Sequence, residues 1–426
     1  MKIKWWVHFW MIEDANYESF FSKNKAKYEL FSSLKDSLVN LSKDKYDEVI
    51  QLIQNNKQIF FRDHANAIYL YFNIVIEAEY NFKSFELYLD ICISFTPDFK
   101  NAGLTEFEMI KILLRFPNGI SYLFSKKFFT IESIIEMSFL NDLIFINFLP
   151  EIEDYDSEYS MKREKHILPE NQEFLNYVKN NRQTHIMNRN LNYHPSHLHK
   201  LIREDDVESF QLYLAKNNIK INHKIEFSHY ERSHTIENEL SLIKTATIYG
   251  SINIFKYLWI QNDIEFDDNL LPFAYFGQNF DIIHLCEKKC HAYEACDQPI
   301  FINRKDLLYY YIDNFSDEII ENCQPINEGL KSFVDDENNY FKKLNYTNIG
   351  SAIFALNLDI IKSCFPKIIY ILKNIKMEPE EEMCFFINSY YELDLFKFFW
   401  QIREKEPNDD VEFYNINYIL LNCLQF

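Results

Sequence analysis

The chain has 426 residues, 47% of them apolar, which is enough to bury a large core and too many for wholesale disorder. Its 44 Lys and Arg stand against 64 Asp and Glu, and the formal charge of −20 repels both the nucleic-acid backbone and anionic membrane surfaces. With only 6 Gly and 11 Pro there is little material for an all-β fold built on tight turns, so the helical period is the one to follow.

The opening 1-MKIKWWVHFWMIED-14 has two lysines and an aromatic run, but His8 interrupts it, Glu13 and Asp14 end it, and no small-residue cleavage site follows. It reads as a capping helix and not as a secretion signal. In 46-YDEVIQLIQ-54, Val49, Ile50, Leu52 and Ile53 form a stripe after an acidic first turn, and Asn55 and Asn56 can supply a left-handed end. Comparable stripes run through 66–80, 82–95, 106–116 and 131–149. Residues 1–150 are therefore expected to be an N-terminal all-helical domain. Then 151-EIEDYDSE-158 and the basic 162-KREKH-166, bounded by Pro150 and Pro169, predict a solvated acidic and polar connection over 151–190 with a short helix at 173–178.

From about residue 191 the chain repeats itself. An apolar residue, then Asp, Glu or Asn, then any residue, then an apolar one recurs in 207-VESFQLYL-214, 252-INIFKYLW-259, 280-FDIIHLCE-287, 358-LDIIKSCF-365 and 393-LDLFKFFW-400. Upstream of two of these stand 246-ATIYG-250 and 274-AYFG-277, where a small residue one turn before a glycine predicts a close helix–turn–helix. Glu208, Asn253, Asp281, Asp359 and Asp394 would then fall in the first turn of each second helix, where an acceptor meets free N–H groups.

These segments, with 201-LIREDDVESFQ-211 and 273-FAYFGQNFDIIHLCEKK-289, resemble degenerate ankyrin repeats. The layout is similar to a large set of protist proteins, best represented in trichomonads, in which a helical domain of unknown function precedes the array. The Thr-Pro-Leu-His opening of the first helix is missing from every unit, and 299–345 does not divide into units. The resemblance implies an all-α fold, with an N-terminal helical domain followed by an ankyrin-like helix–turn–helix repeat solenoid over 191–426. It implies a binding role and no particular partner.

Chemistry is sparse. Cys286, Cys290, His291 and Cys296 lie within eleven residues, but their spacing is not that of a zinc knuckle and Cys286 falls at a core position of its helix, so they read as structural thiols and no metal is expected. His194, His197 and His199 read as local hydrogen-bonding residues at the start of a helix beginning at Pro195. No phosphate-binding, dinucleotide, zincin or nucleophile-elbow motif occurs, so neither an enzyme nor a cofactor is expected. The 8 Cys lack the density of a disulfide scaffold, and no apolar run reaches the eighteen or so residues that cross a bilayer. An intracellular, cytoplasmic chain follows as the expectation, with the nucleus left open.

The functional expectation is a non-catalytic protein–protein interaction module, an adaptor or scaffold, monomeric on its own, with a protein as partner. The alternative is a permanent structural component of a larger assembly; a metal-dependent factor or enzyme comes third. In ankyrin arrays the end of each first helix points into a concave groove. Placing Gly250 and Gly277 at the turn puts Tyr249, Tyr275 and Phe276 there, and the same interval adds Phe354 and Tyr390. Such an aromatic stripe would supply interface anchors, unless the same residues pack against the next repeat.

Overall fold

The computed structural model describes residues 17–81, 84–191, 193–226, 228–230, 239–261 and 270–288, with Arg304, Asp306, Leu307 and Tyr310 beyond them. These residues are mostly helical. The strands among them are one short antiparallel pair, β1 (Lys224–Glu226) and β2 (Glu239–Ser241), with Ile225 opposite Leu240. Packing divides the chain into two units, 1–36 with 319–426, and 37–318. In the first, the described part of α1 (Tyr17–Val39) buries Tyr28, Phe31 and Leu34 at helical spacing. The expectations on 1–14, Phe354, Asp359, Tyr390 and Asp394 lie outside the described residues.

The second unit begins with α2 (Tyr46–Asn55) and the single turn α3 (Lys57–Phe60). It then places α4 (His64–Tyr80) in its middle. Ala67, Tyr69, Leu70, Tyr71, Ile74 and Val75 are all buried, which is the pattern of a helix enclosed by others and not of a surface helix with one apolar stripe. The Asp63 carboxylate accepts the Asn66 N–H at 2.9 Å and so fixes where α4 starts. Packed against α4 is α5 (Phe85–Ser94), and α6 (Thr96–Asn101) follows. A capping box opens α7 (Glu106–Ile112): Thr105 accepts the Glu108 N–H at 3.2 Å while Glu108 accepts the Thr105 N–H at 3.0 Å. Next come α8 (Pro117–Ser125), α9 (Ile131–Ser138) and α10 (Asp142–Asn147).

The stretch expected to be a polar connection is helical instead. It forms α11 (Leu149–Tyr155), α12 (Ser157–Arg163), α13 (Gln172–Asn180) and α14 (Arg182–Leu191). Its helix starts are written locally. Pro150 stands in the first turn of α11, where its missing N–H costs nothing, and Asp156 accepts the Tyr159 N–H at 2.9 Å to begin α12. One inward residue per turn suffices for burial, as at Ile152, Phe174 and Val178. The carboxylates that suggested a loop face outward or meet bases: Arg182 reaches Glu153 at 2.8 Å and Asp154 at 2.6 Å, and Arg189 pairs with Glu151.

Three helical hairpins follow: α15 (His197–Arg203) with α16 (Val207–Asn217), α17 (Leu242–Ile248) with α18 (Ile252–Trp259), and α19 (Leu270–Gly277) with α20 (Phe280–Glu287). First helices pack on first helices and second on second, α15 on α17 on α19 and α16 on α18 on α20. Glu208, Asn253 and Asp281 sit in the first turns of α16, α18 and α20, as expected. Each turn is fastened to the next. The Asp205 carboxylate accepts the N–H of Asn253 at 3.1 Å and of Ile254 at 3.0 Å, Ser251 Oγ donates to the Ile202 carbonyl at 2.6 Å, and Asn279 Nδ2 donates to the Gly250 carbonyl at 3.2 Å.

The backbone corrects the register used for threading the repeats. The left-handed residue of each turn is Asp205 (φ 55°), Gly250 (φ 62°) and Gln278 (φ 53°), so Gly250 corresponds to Gln278 and not to Gly277. Gly277 is required for a different reason: a Cβ on it would lie 2.0 Å from the Thr247 carbonyl oxygen, where the two turns touch.

Candidate interaction surface

The one-residue shift decides the fate of the expected groove. Tyr275 becomes the counterpart of Thr247 and Phe276 of Ile248, while Tyr249 corresponds to Gly277. Tyr249 is 4% exposed and Tyr275 0%, so both belong to the interior and cannot line an open face. Tyr249 meets His199 edge-on at 5.1 Å. Half-buried Phe276 stacks on Tyr80 of α4 at 5.8 Å, so a helix of the preceding bundle occupies the place where a partner was expected.

The titratable candidates also resolve into packing. Cys286 is fully buried in α20, at a core position as expected; Cys290, His291 and Cys296 lie outside the described residues. The helix expected to start at Pro195 starts at His197. His194 accepts the Ser196 N–H on Nδ1 at 3.1 Å, which leaves Nε2 to donate to the Glu226 carbonyl at 3.1 Å and no lone pair for a metal. Its ring stacks on His199 at 4.4 Å, and burial holds both imidazoles below the usual histidine range.

What stands out is the corner between α9 and α10. Phe139 and Leu140 are 69% and 67% exposed, and among the described residues no other pair of consecutive large apolar side chains is so open. Leu143, in the first turn of α10, and Leu168 are exposed as well. Leu168 is brought there by its own N–H, which donates to Asp142 at 2.8 Å. Apolar side chains collected in this way mark interaction surfaces more often than isolated ones do.

The corner is exposed, yet both helices that form it are tied down. At the start of α9, Glu106 accepts hydrogen bonds from the Thr130 N–H at 2.7 Å, the Thr130 hydroxyl at 2.9 Å and Ser133 at 2.9 Å. Burial raises its pKa, but these bonds and Lys100 outweigh it and hold the carboxyl below the usual range. At the other end, Arg163 reaches across from α12. Its Nε donates to the Ser138 carbonyl at 3.0 Å, one of the free acceptors at the end of α9, and its Nη2 donates to Asp142 in the first turn of α10 at 2.5 Å. Burial again works against the Asp142 carboxylate, and the Leu168 N–H, Arg163 and Asn171 overcome it. Asn141 accepts the Ile144 N–H at 3.0 Å and starts α10. Phe139 and Leu140 are thus presented on a fixed backbone, which lowers the ordering cost of binding.

The periodicity of 131–149 reads as one helix, so these residues were not expected as a site. Asn141 and Asp142 inside an otherwise apolar run were the available signal, since this pair caps and starts a helix well and continues one poorly.

No family model matches this chain, and no curated protein or solved structure matches it either.

Proposed function

We propose that the chain is a non-catalytic protein-interaction scaffold whose docking surface is the α9–α10 corner. The observation that carries this is the exposure of Phe139 and Leu140 on a backbone clamped by Arg163 and Glu106. An apolar pair left in water by a fold that spends a buried ion pair on positioning it is accounted for by a protein that covers it. The three hairpins, with a left-handed residue at the same place in each turn, support a degenerate ankyrin-like array that continues the same packed unit as the bundle. In this reading Phe276 is covered by Tyr80 of α4, and binding moves from the repeats to the bundle.

The test is site-specific photocrosslinking in cells that express the chain. A photoreactive phenylalanine at Phe139 is expected to give a discrete adduct with another protein. The same group at Leu212, 71% exposed on α16, serves as the control for mere exposure. Equal or absent crosslinking at the two positions would overturn the assignment.

A further inference from the structure

We propose that the occupant of the α9–α10 corner is a basic amphipathic segment of a partner protein, one that places two or three apolar side chains among Lys and Arg. This rests on the corner being the docking surface and adds the chemistry of what docks there. The warrant is charge. Residues 131–170 carry ten Asp and Glu against three Lys and Arg. Of those three, Arg163 is committed to Asp142, Lys162 pairs with Glu158 on its own helix, and Lys165 alone is an exposed cation that offsets the ten carboxylates. On α9, Glu132 and Glu136 follow at one-turn intervals on the face that ends at Phe139 and Leu140, and both are exposed. The Tyr155 hydroxyl donates to Glu132 at 2.7 Å and holds that carboxyl below its usual range, so it is charged at neutral pH. Glu170, two residues beyond Leu168 in the chain, is exposed as well.

An apolar centre between exposed carboxylates selects the complementary arrangement: apolar contact at the middle for affinity, basic residues at the edge for encounter rate and specificity. The same charges argue against the other occupants. A second copy would bring an identical acidic rim against this one, and an anionic membrane would be repelled by it.

The probe is a library of random linear peptides displayed against the full chain, counter-selected on the Phe139→Asp, Leu140→Asp variant. Because both replaced side chains are exposed, that variant is expected to melt where the parent does. A second variant, Glu132→Gln with Glu136→Gln, removes charge and leaves the apolar pair and an acceptor for Tyr155. The expected result is enrichment of peptides that combine Lys and Arg with Leu, Ile or Phe. Their binding should be lost with the first variant, weakened about fivefold by the second at low salt, and weakened in the parent by added salt. Peptides that depend on Phe139 and Leu140 but carry no basic excess, or that bind the Gln variant unchanged, would overturn the partner chemistry and leave the docking surface standing. Enrichment with no dependence on Phe139 and Leu140 would overturn both. A concentration-dependent dimer in sedimentation, abolished by the Asp variant, would replace the proposal with self-association.

Discussion

Replacing Arg163 with Met tests whether the exposed corner is held by a buried ion pair. The side chains of Arg163 and Asp142 are 9% and 11% exposed, so the substitution leaves a nearly buried carboxylate without its cation and the Ser138 carbonyl without its donor. Losing one partner of a buried pair costs about 3–5 kcal/mol. Here the Leu168 N–H at 2.8 Å and Asn171 at 3.3 Å remain on the carboxylate, which points to the low end, about 3 kcal/mol. For a unit of this size that lowers the melting temperature by roughly 6–12 °C. Adding Asp142→Asn removes the stranded charge, so the double variant should recover part of the loss, with a coupling of at least about 1 kcal/mol in the cycle. Urea melts followed by circular dichroism give the energies, and amide exchange of 138–145 shows whether the loosening is local. A melting temperature within about 2 °C of the parent, or a double variant that costs the sum of the singles, would refute the clamp.

Tyr249→Ala and Tyr275→Ala are each expected to cost about 3–5 kcal/mol because both rings are interior, whereas Phe139→Ala should leave a thermal melt nearly unmoved; the opposite order would restore the open groove. Gly277→Ala should destabilise by about 1–3 kcal/mol, since its Cβ would strike the Thr247 carbonyl 2.0 Å away, and a neutral result would mean the turns separate at no cost. Stability should fall with acid. Burial lowers the folded pKa of His185, His194, His199 and His229, so the unfolded chain binds more protons as pH drops through about 6.5, and urea midpoints at pH 7.5 and 5.5 that coincide would contradict this.

Much of the helical content was legible because it needs only periodicity and end signals. The stripe at 46–54 forms α2 with its first turn acidic, and Glu208, Asn253 and Asp281 fall where helix starts were read. Two things were not legible, for different reasons. The run 151–190 has the composition of a loop, but its carboxylates are solvated or paired with Arg182 and Arg189, 29 and 38 residues from Glu153 and Glu151, and pairing at that range leaves no local trace. The repeat register failed by one residue because Gly250 and Gly277 were aligned as the same position of the turn. At Asp205 and Gln278 polar residues carry the left-handed conformation, while Gly277 is demanded by a neighbour's backbone.

That single shift also removes the expected aromatic stripe. Threading by glycine places aromatic side chains at equivalent positions and makes a stripe; threading by backbone angle makes the counterparts of Tyr275 and Phe276 a threonine and an isoleucine. Among the described hairpins the aromatic positions then no longer line up. The α9–α10 corner is not periodic at all. It exists because Asn141 and Asp142 stop one apolar run in two, and because Arg163, more than twenty residues on, bonds to both sides of the break. Exposure alone would predict Phe139 to be replaceable by any polar residue without consequence for binding or fold. Exposure together with a buried clamp predicts that Phe139→Ser leaves the melt untouched, that Arg163→Met lowers it, and that both weaken the same complex, the first by losing contact and the second by losing position.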